Sequence, residues 1–260
     1  MPLSYQKYLA LDQLLEIQTP RSDGPEHDET LFIIIHQTYE LWFKQILHDL
    51  SFIQNAFQQG NQSEIFQGFK RVLCILKVLV NQTDILETMT PVAFNGFRER
   101  LDTASGFQSA QFRELEIVLG QRNKFVLSRF DKQSKEYKKL DALLGQPSLW
   151  DSFLLFLKNH NCQIPETSLH RDLSCSTSSS VEVQAELIKI YHKRSSFMEM
   201  CERFVDLDEG IQEWRYRHVK MVERTIGMQG GTGGSTGVDY LKESIFKPLF
   251  PDLWEIRVSL

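Results

Sequence analysis

Apolar residues recur at helical spacing over stretches too long for any strand. From His27 onward, Phe32, Ile35, His36, Tyr39, Phe43, Ile46 and Leu47 fall on one broad face that continues toward Ala56. Residues 63–88 repeat the pattern, with Phe66, Phe69, Val72, Leu73, Leu76, Leu79 and Val80 inward and Lys70, Arg71 and Lys77 outward. Such stripes let a helix bury one side and solvate the other. Further helical segments are expected at residues 3–17, 108–119, 147–159, 181–205 and 210–226, with a short one at 240–246. No segment alternates with the period of a strand, and no internal repeat is present. The expected fold is therefore all-α, a single domain over residues 1–260 built around long helices.

The chain has 260 residues, enough to bury a large core. Its 42% hydrophobic and 24% charged residues are the balance of an ordinary soluble globular protein. A net charge of −5 gives no electrostatic case for nucleic acid or an anionic membrane as the main partner. No apolar run approaches the length that spans a bilayer, and the first residues lack the basic and apolar regions of a leader peptide. The histidines show no zinc-type spacing. Cys74, Cys162, Cys175 and Cys201 form no C-x-x-C pair and read as free thiols in a reducing compartment, so a cytoplasmic protein is expected.

Proline and glycine divide the helical segments. The run QTPRSDGP at 18–25 ends the first of them. Asp28 is the expected N-cap of the next, with acidic residues in its first turn. Pro91 suits the first turn of a short helix on which Phe94 and Arg98, four apart, face the same way. Residues 121–145 carry more charge and are expected to form a solvated excursion with short helical parts. The serine-rich run at 174–180 reads as a surface loop, and the tail at 250–254 as a segment whose aromatics dock.

Three features offer chemistry. His36 sits within an apolar face, where an imidazole must find a hydrogen-bond partner or lose roughly 1–3 kcal/mol; it is either satisfied in the core or points into a cavity. His218 lies on a second inward stripe with Ile211, Trp214, Val222 and Ile226. Beyond it, glycines at 230, 231, 233, 234 and 237 alternate with Thr232, Ser235 and Thr236, a loop able to bring backbone N–H groups and small hydroxyls against a polar ligand. It is neither a P-loop nor a dinucleotide fingerprint, because no Gly-Lys-Ser/Thr follows and no strand precedes it. Arg98 beside an aromatic is either a surface stack or a clamp for a carboxylate. Taken singly, a core histidine, a surface stack and a flexible linker account for all of these.

Six segments together resemble the tryptophan 2,3-dioxygenase family of haem enzymes. They are HDETLFIIIHQTYELWFKQ from His27, LETMTP from Leu86, FNGFR from Phe94, SGFQSAQFRELE from Ser105, WRYRH from Trp214 and GTGGSTG from Gly231. They follow the family's order and cover nearly the whole chain. The resemblance implies a b-type haem with His218 as the axial ligand of its iron, Ser105 and Gly106 beside the cofactor, and O2 as co-substrate. It implies L-tryptophan as substrate, with His36 hydrogen-bonding the indole N–H, Phe32 stacking on the ring, Phe94 and Arg98 at the carboxylate, and Thr232 touching both the ammonium and the carboxylate. Tyr5, Tyr8 and Leu9 match an N-terminal helix, within residues 1–20, that completes the pocket of a neighbouring subunit in a homotetramer. Phe94 stands where some relatives carry tyrosine; the missing hydroxyl removes a bond worth roughly 1.5–3 kcal/mol unless Arg98 or water compensates.

The activity so implied is insertion of both oxygen atoms across the indole C2–C3 bond to give N-formylkynurenine, the first step of tryptophan catabolism by the kynurenine pathway. A relative that places one oxygen atom on a modified tryptophan in a biosynthetic pathway would keep the same residues and differ in product mass. A haem-free helical binding module would show no Soret band.

Overall fold

The computed structural model describes residues 2–24, 26–102, 104–227, 242 and 245–260, with the backbone alone for Phe107. Its helices run in the order α1 (Tyr5–Leu9), α2 (Leu11–Leu14), α3 (His27–Gln59), α4 (Gln62–Leu86), α5 (Pro91–Arg98), α6 (Ala110–Val118), α7 (Lys135–Leu144), α8 (Leu149–Asn159), α9 (Glu166–Leu169), α10 (Val181–Lys193), α11 (Ser196–Ile226) and α12 (Pro251–Glu255). Short 3-10 turns follow α5, precede α6 and α7, and close the chain. Among the described residues there is no strand, so the chain is all-α as expected. No helix among them is long and apolar enough to cross a membrane.

α3, α4 and α11 form the frame. α3 stops where Gly60 takes φ 72°, a left-handed value that costs glycine little, and the Asn61 side chain then caps α4 by accepting from the Glu64 N–H. That two-residue link makes α3 and α4 an antiparallel pair. Two glycines let the frame close tightly: a Cβ on Gly68 would stand 2.4 Å from Ile53 Cγ1, and one on Gly210 would stand 3.1 Å from Leu76 Cδ1. The core between these helices includes Phe43, Ile53 and Phe57 of α3, Phe69 and Leu76 of α4, and Phe204 and Ile211 of α11. α8 adds Trp150, Phe153 and Phe156, which cluster around Phe57 and Phe204.

Several local expectations are corrected. Residues 3–17 are not one helix, because Ala10 takes φ 51° and separates α1 from α2. Asp28 is not the cap of α3: Glu26 occupies that position without a side-chain cap, and Asp28 lies inside the first turn. The last long break falls at Arg194 and Ser195 rather than before Gly210, since Arg194 takes φ 49° and α11 runs unbroken through Gly210. Residues 121–145 are more than a solvated excursion. Leu127, Leu140 and Leu144 close a satellite core on Ile117, and the buried Arg122 guanidinium donates to the carbonyls of Leu143, Leu144 and Gln146. The expected helix at 240–246 falls mostly outside the described residues.

The tail docks as expected. Phe250 is fully buried, and the Leu249 and Phe250 N–H groups and the Trp254 indole N–H all donate to one oxygen of the buried Asp208 carboxylate on α11. A buried carboxylate is tolerated when its lone pairs are filled this way.

Candidate active site

α3, α5, α6 and α11 enclose a cavity of about 370 Å³. Helical spacing places Phe32, His36, Tyr39 and Phe43 of α3 on its wall. The His36 Nδ1–H donates to the Phe32 carbonyl at 2.7 Å. A carbonyl only accepts, so this bond selects the tautomer and leaves the lone pair on Nε2. Burial lowers the proton affinity of His36, against the pull of the Phe32 carbonyl and of Glu40, one turn further along α3. Glu40 itself is held from α6: Gln111 Nε2 donates to its carbonyl at 2.9 Å and to its carboxylate at 2.8 Å.

Phe32 also packs into an aromatic corner. Its ring lies 4.1 Å from His36, 5.8 Å from Phe94 and 5.5 Å from Phe97. α5 is started by Thr90, whose hydroxyl accepts from the Ala93 N–H, and by Pro91. One turn separates Phe94 from Arg98, and both reach the cavity.

α11 forms the facing wall. Trp214 and His218, four apart, stack with ring centroids 5.3 Å apart and planes 10° apart. His218 is half-buried and lines the cavity. Burial, reinforced by the positive charges that His36 and Arg113 would carry, lowers its pKa to about 4. The ring is therefore neutral at pH 7, and one nitrogen keeps a lone pair. Beside it, the Arg113 guanidinium donates to Glu116 at 2.6 Å, and Arg215 reaches both Glu116 and Gln121.

The sequence-derived candidates converge in part. Phe32, His36, Phe94, Arg98, Ser105, Gly106 and His218 all line this cavity. Tyr5, Tyr8 and Leu9 do not; they are 72%, 73% and 40% exposed, on helices that bury no residue. Thr232 and the glycine-rich loop lie outside the described residues.

Comparison with known proteins decides the family, because the model for "Tryptophan 2,3-dioxygenase" matches residues 1–147 and 155–260. The chain belongs to the tryptophan 2,3-dioxygenase family. A tryptophan 2,3-dioxygenase of Herpetosiphon aurantiacus is 52% identical over 258 residues, covering 99% of this chain and 98% of that protein. One from Anaeromyxobacter dehalogenans is 50% identical, with 99% and 96% covered. One from Caulobacter vibrioides is 41% identical, with 99% and 98% covered.

Other residues of this tryptophan 2,3-dioxygenase family member line the cavity but were not singled out from sequence: Glu40, Phe112, Arg113, Glu116, Arg215 and Lys247. Five of them stand inside quoted motifs, yet nothing in a motif says which member faces inward. Trp214 was visible as a stripe residue four positions before His218, but its stacking partner was not.

Proposed function

We propose that this chain is a haem-dependent tryptophan 2,3-dioxygenase that inserts both atoms of O2 across the indole C2–C3 bond of L-tryptophan, giving N-formylkynurenine. The observation that carries the reading is one cavity lined by a neutral His218, an acceptor-tautomer His36, the Phe32 ring and Arg98.

The donor chemistry fits haem. Among the described residues no three His, Cys, Asp or Glu side chains gather as a bare metal ion would need. His218 instead presents a single neutral imidazole beside the apolar Phe112, Val219 and Val222, which suits a metal already chelated by a macrocycle. Gly106 lines the same cavity, and no atom lies where its Cβ would stand. We assign His218 as the iron ligand, with Ser105 and Gly106 beside the cofactor. When bound, reduced haem iron would supply the binding and activation of O2.

The protein's own part is positioning. Arg98 offers a planar fork to the substrate carboxylate, where charge-assisted bonds fix orientation as well as energy. His36 Nε2 accepts from the indole N–H, and the Nδ1 bond to Phe32 keeps the ring from turning away. Phe32 and Phe94 give the indole an apolar wall that excludes water. Thr232 is assigned to the ammonium and carboxylate groups on the strength of its motif. Tyr5, Tyr8 and Leu9 are assigned to a neighbour's pocket in a homotetramer; their exposure together with Leu3, Leu15 and Ile17 supports this.

The test is anaerobic reduction of the haem-loaded protein, followed by oxygen and L-tryptophan, with the Soret band and product mass read together. A product heavier than tryptophan by two oxygen atoms is expected. A product heavier by one, or no Soret band, would overturn the reading.

A further inference from the structure

We infer that Trp214 is a positioning residue for His218, orienting by ring stacking the imidazole that would hold the haem iron. The inference rests on the haem reading above, since it gives His218 an orientation to keep. In metal sites a ligating histidine is ordinarily aimed by a hydrogen bond from its second ring nitrogen to a carboxylate or carbonyl. Among the described residues, no side chain or carbonyl makes that bond to His218. What the ring does have is Trp214, one helical turn earlier, parallel within 10° at 5.3 Å. Four-residue spacing on a rigid helix sets the indole against the imidazole in an offset stack.

Trp214 is itself held on three sides. Phe112 of α6 lies 4.9 Å away at 44°, and Phe43 of α3 meets it edge-on at 5.9 Å and 88°. Tyr39 meets it at 6.2 Å and 65°, and the Tyr39 hydroxyl is anchored by donation to the Leu79 carbonyl at 2.9 Å. The indole is therefore clamped by rings from two neighbouring helices, and the clamp passes to the imidazole through one stack. Its N–H makes no hydrogen bond, although it lies near enough to the Tyr39 hydroxyl to influence that group. A buried unsatisfied donor is costly, and a phenylalanine would avoid the cost. What the imidazole takes from this position is the flat aromatic face, not the indole N–H.

Arrangement by stacking has a chemical consequence. A ring aimed by a carboxylate acquires imidazolate character, whereas a ring aimed by an aromatic face stays a neutral donor. An iron–histidine bond at this site would then be set by orientation and packing, and it should respond to the loss of the stack.

The test uses the haem-loaded protein with Trp214→Phe and Trp214→Leu, reading the iron–histidine stretching band of the ferrous form by resonance Raman and the rate of haem transfer to excess apomyoglobin. Trp214→Phe, which keeps a stacking face, should retain the parental band position. Trp214→Leu should shift and broaden the band and speed haem loss roughly tenfold or more, the usual scale for losing an orienting partner. A Trp214→Leu protein with parental band and parental haem loss would overturn the inference. So would Trp214→Phe behaving like Trp214→Leu in the band while melting like the parent. If the parent itself binds no haem, the haem reading fails first, and that outcome is separate from either of these.

Discussion

His36 and His218 show how the same residue type acquires different roles from its surroundings. Both rings are half-buried on the cavity wall and both are pushed toward the neutral form by desolvation, but His36 spends one nitrogen on a carbonyl of its own helix while His218 is stacked and keeps its nitrogens free of described side chains. His218→Ala should lose the Soret band on purification, whereas His36→Ala should keep it and turn over more slowly. Haem retained in His218→Ala would displace the ligand assignment. Arg98→Ala should keep haem and raise the KM for L-tryptophan about 30-fold, which corresponds to losing about 2 kcal/mol of charge-assisted bonding. Unchanged spectral titration by L-tryptophan in that variant would remove Arg98 from the carboxylate.

At the scale of helices, close approach and capping are what the side chains decide. Gly68→Ala should destabilise by about 1–3 kcal/mol despite the better helix propensity of alanine, because its Cβ meets a fully buried Ile53 that cannot move aside. Gly145→Ala, with an ordinary φ of −90° and nothing nearer than 3.9 Å, should be neutral or stabilise by up to about 1 kcal/mol; urea midpoints of the two variants check both. The start of α8 is sensitive to pH. Burial would raise the pKa of Asp151, but the paired bonds from Arg171 and those from Ser148 outweigh it and hold the carboxyl below its usual range. A depressed folded pKa means stability that is present above the unfolded value of about 3.9 and is lost as pH falls through the folded one. The stability gap between the parent and Asp151→Asn should therefore be widest near neutrality and shrink below about pH 3, as measured by urea unfolding at the two pH values.

For the molecule as a whole, the N-terminal arm stands apart from the core. α1 and α2 bury nothing, and the segment behind them is clipped to α3, where Glu29 accepts from the Arg21 and Ser22 N–H groups. Deleting residues 2–16 should leave the melting temperature of the core nearly unchanged but raise the KM for L-tryptophan if the arm completes a neighbour's pocket. Sedimentation and steady-state kinetics on the truncated chain read both, and an unaltered KM would return the arm to a role outside the site. Much of the fold was legible because helical period is a local property. It put Phe32 beside His36, Phe94 beside Arg98 and Trp214 on the same stripe as His218 without reference to any other part of the chain. The motifs then marked which of these faces enclose a site. What needed the tertiary structure were relations between segments far apart in sequence: Gln111 gripping Glu40 across 71 residues, Arg215 reaching Glu116 across 99, and Asp208 gathering the tail. Backbone exceptions at Ala10 and Arg194 also escaped the sequence, because neither residue type announces a left-handed φ. The sequence by itself determined which residues share a helix face, because covalent geometry repeats every turn; only the tertiary structure decided which faces meet, because packing and charge pairing depend on approach through space.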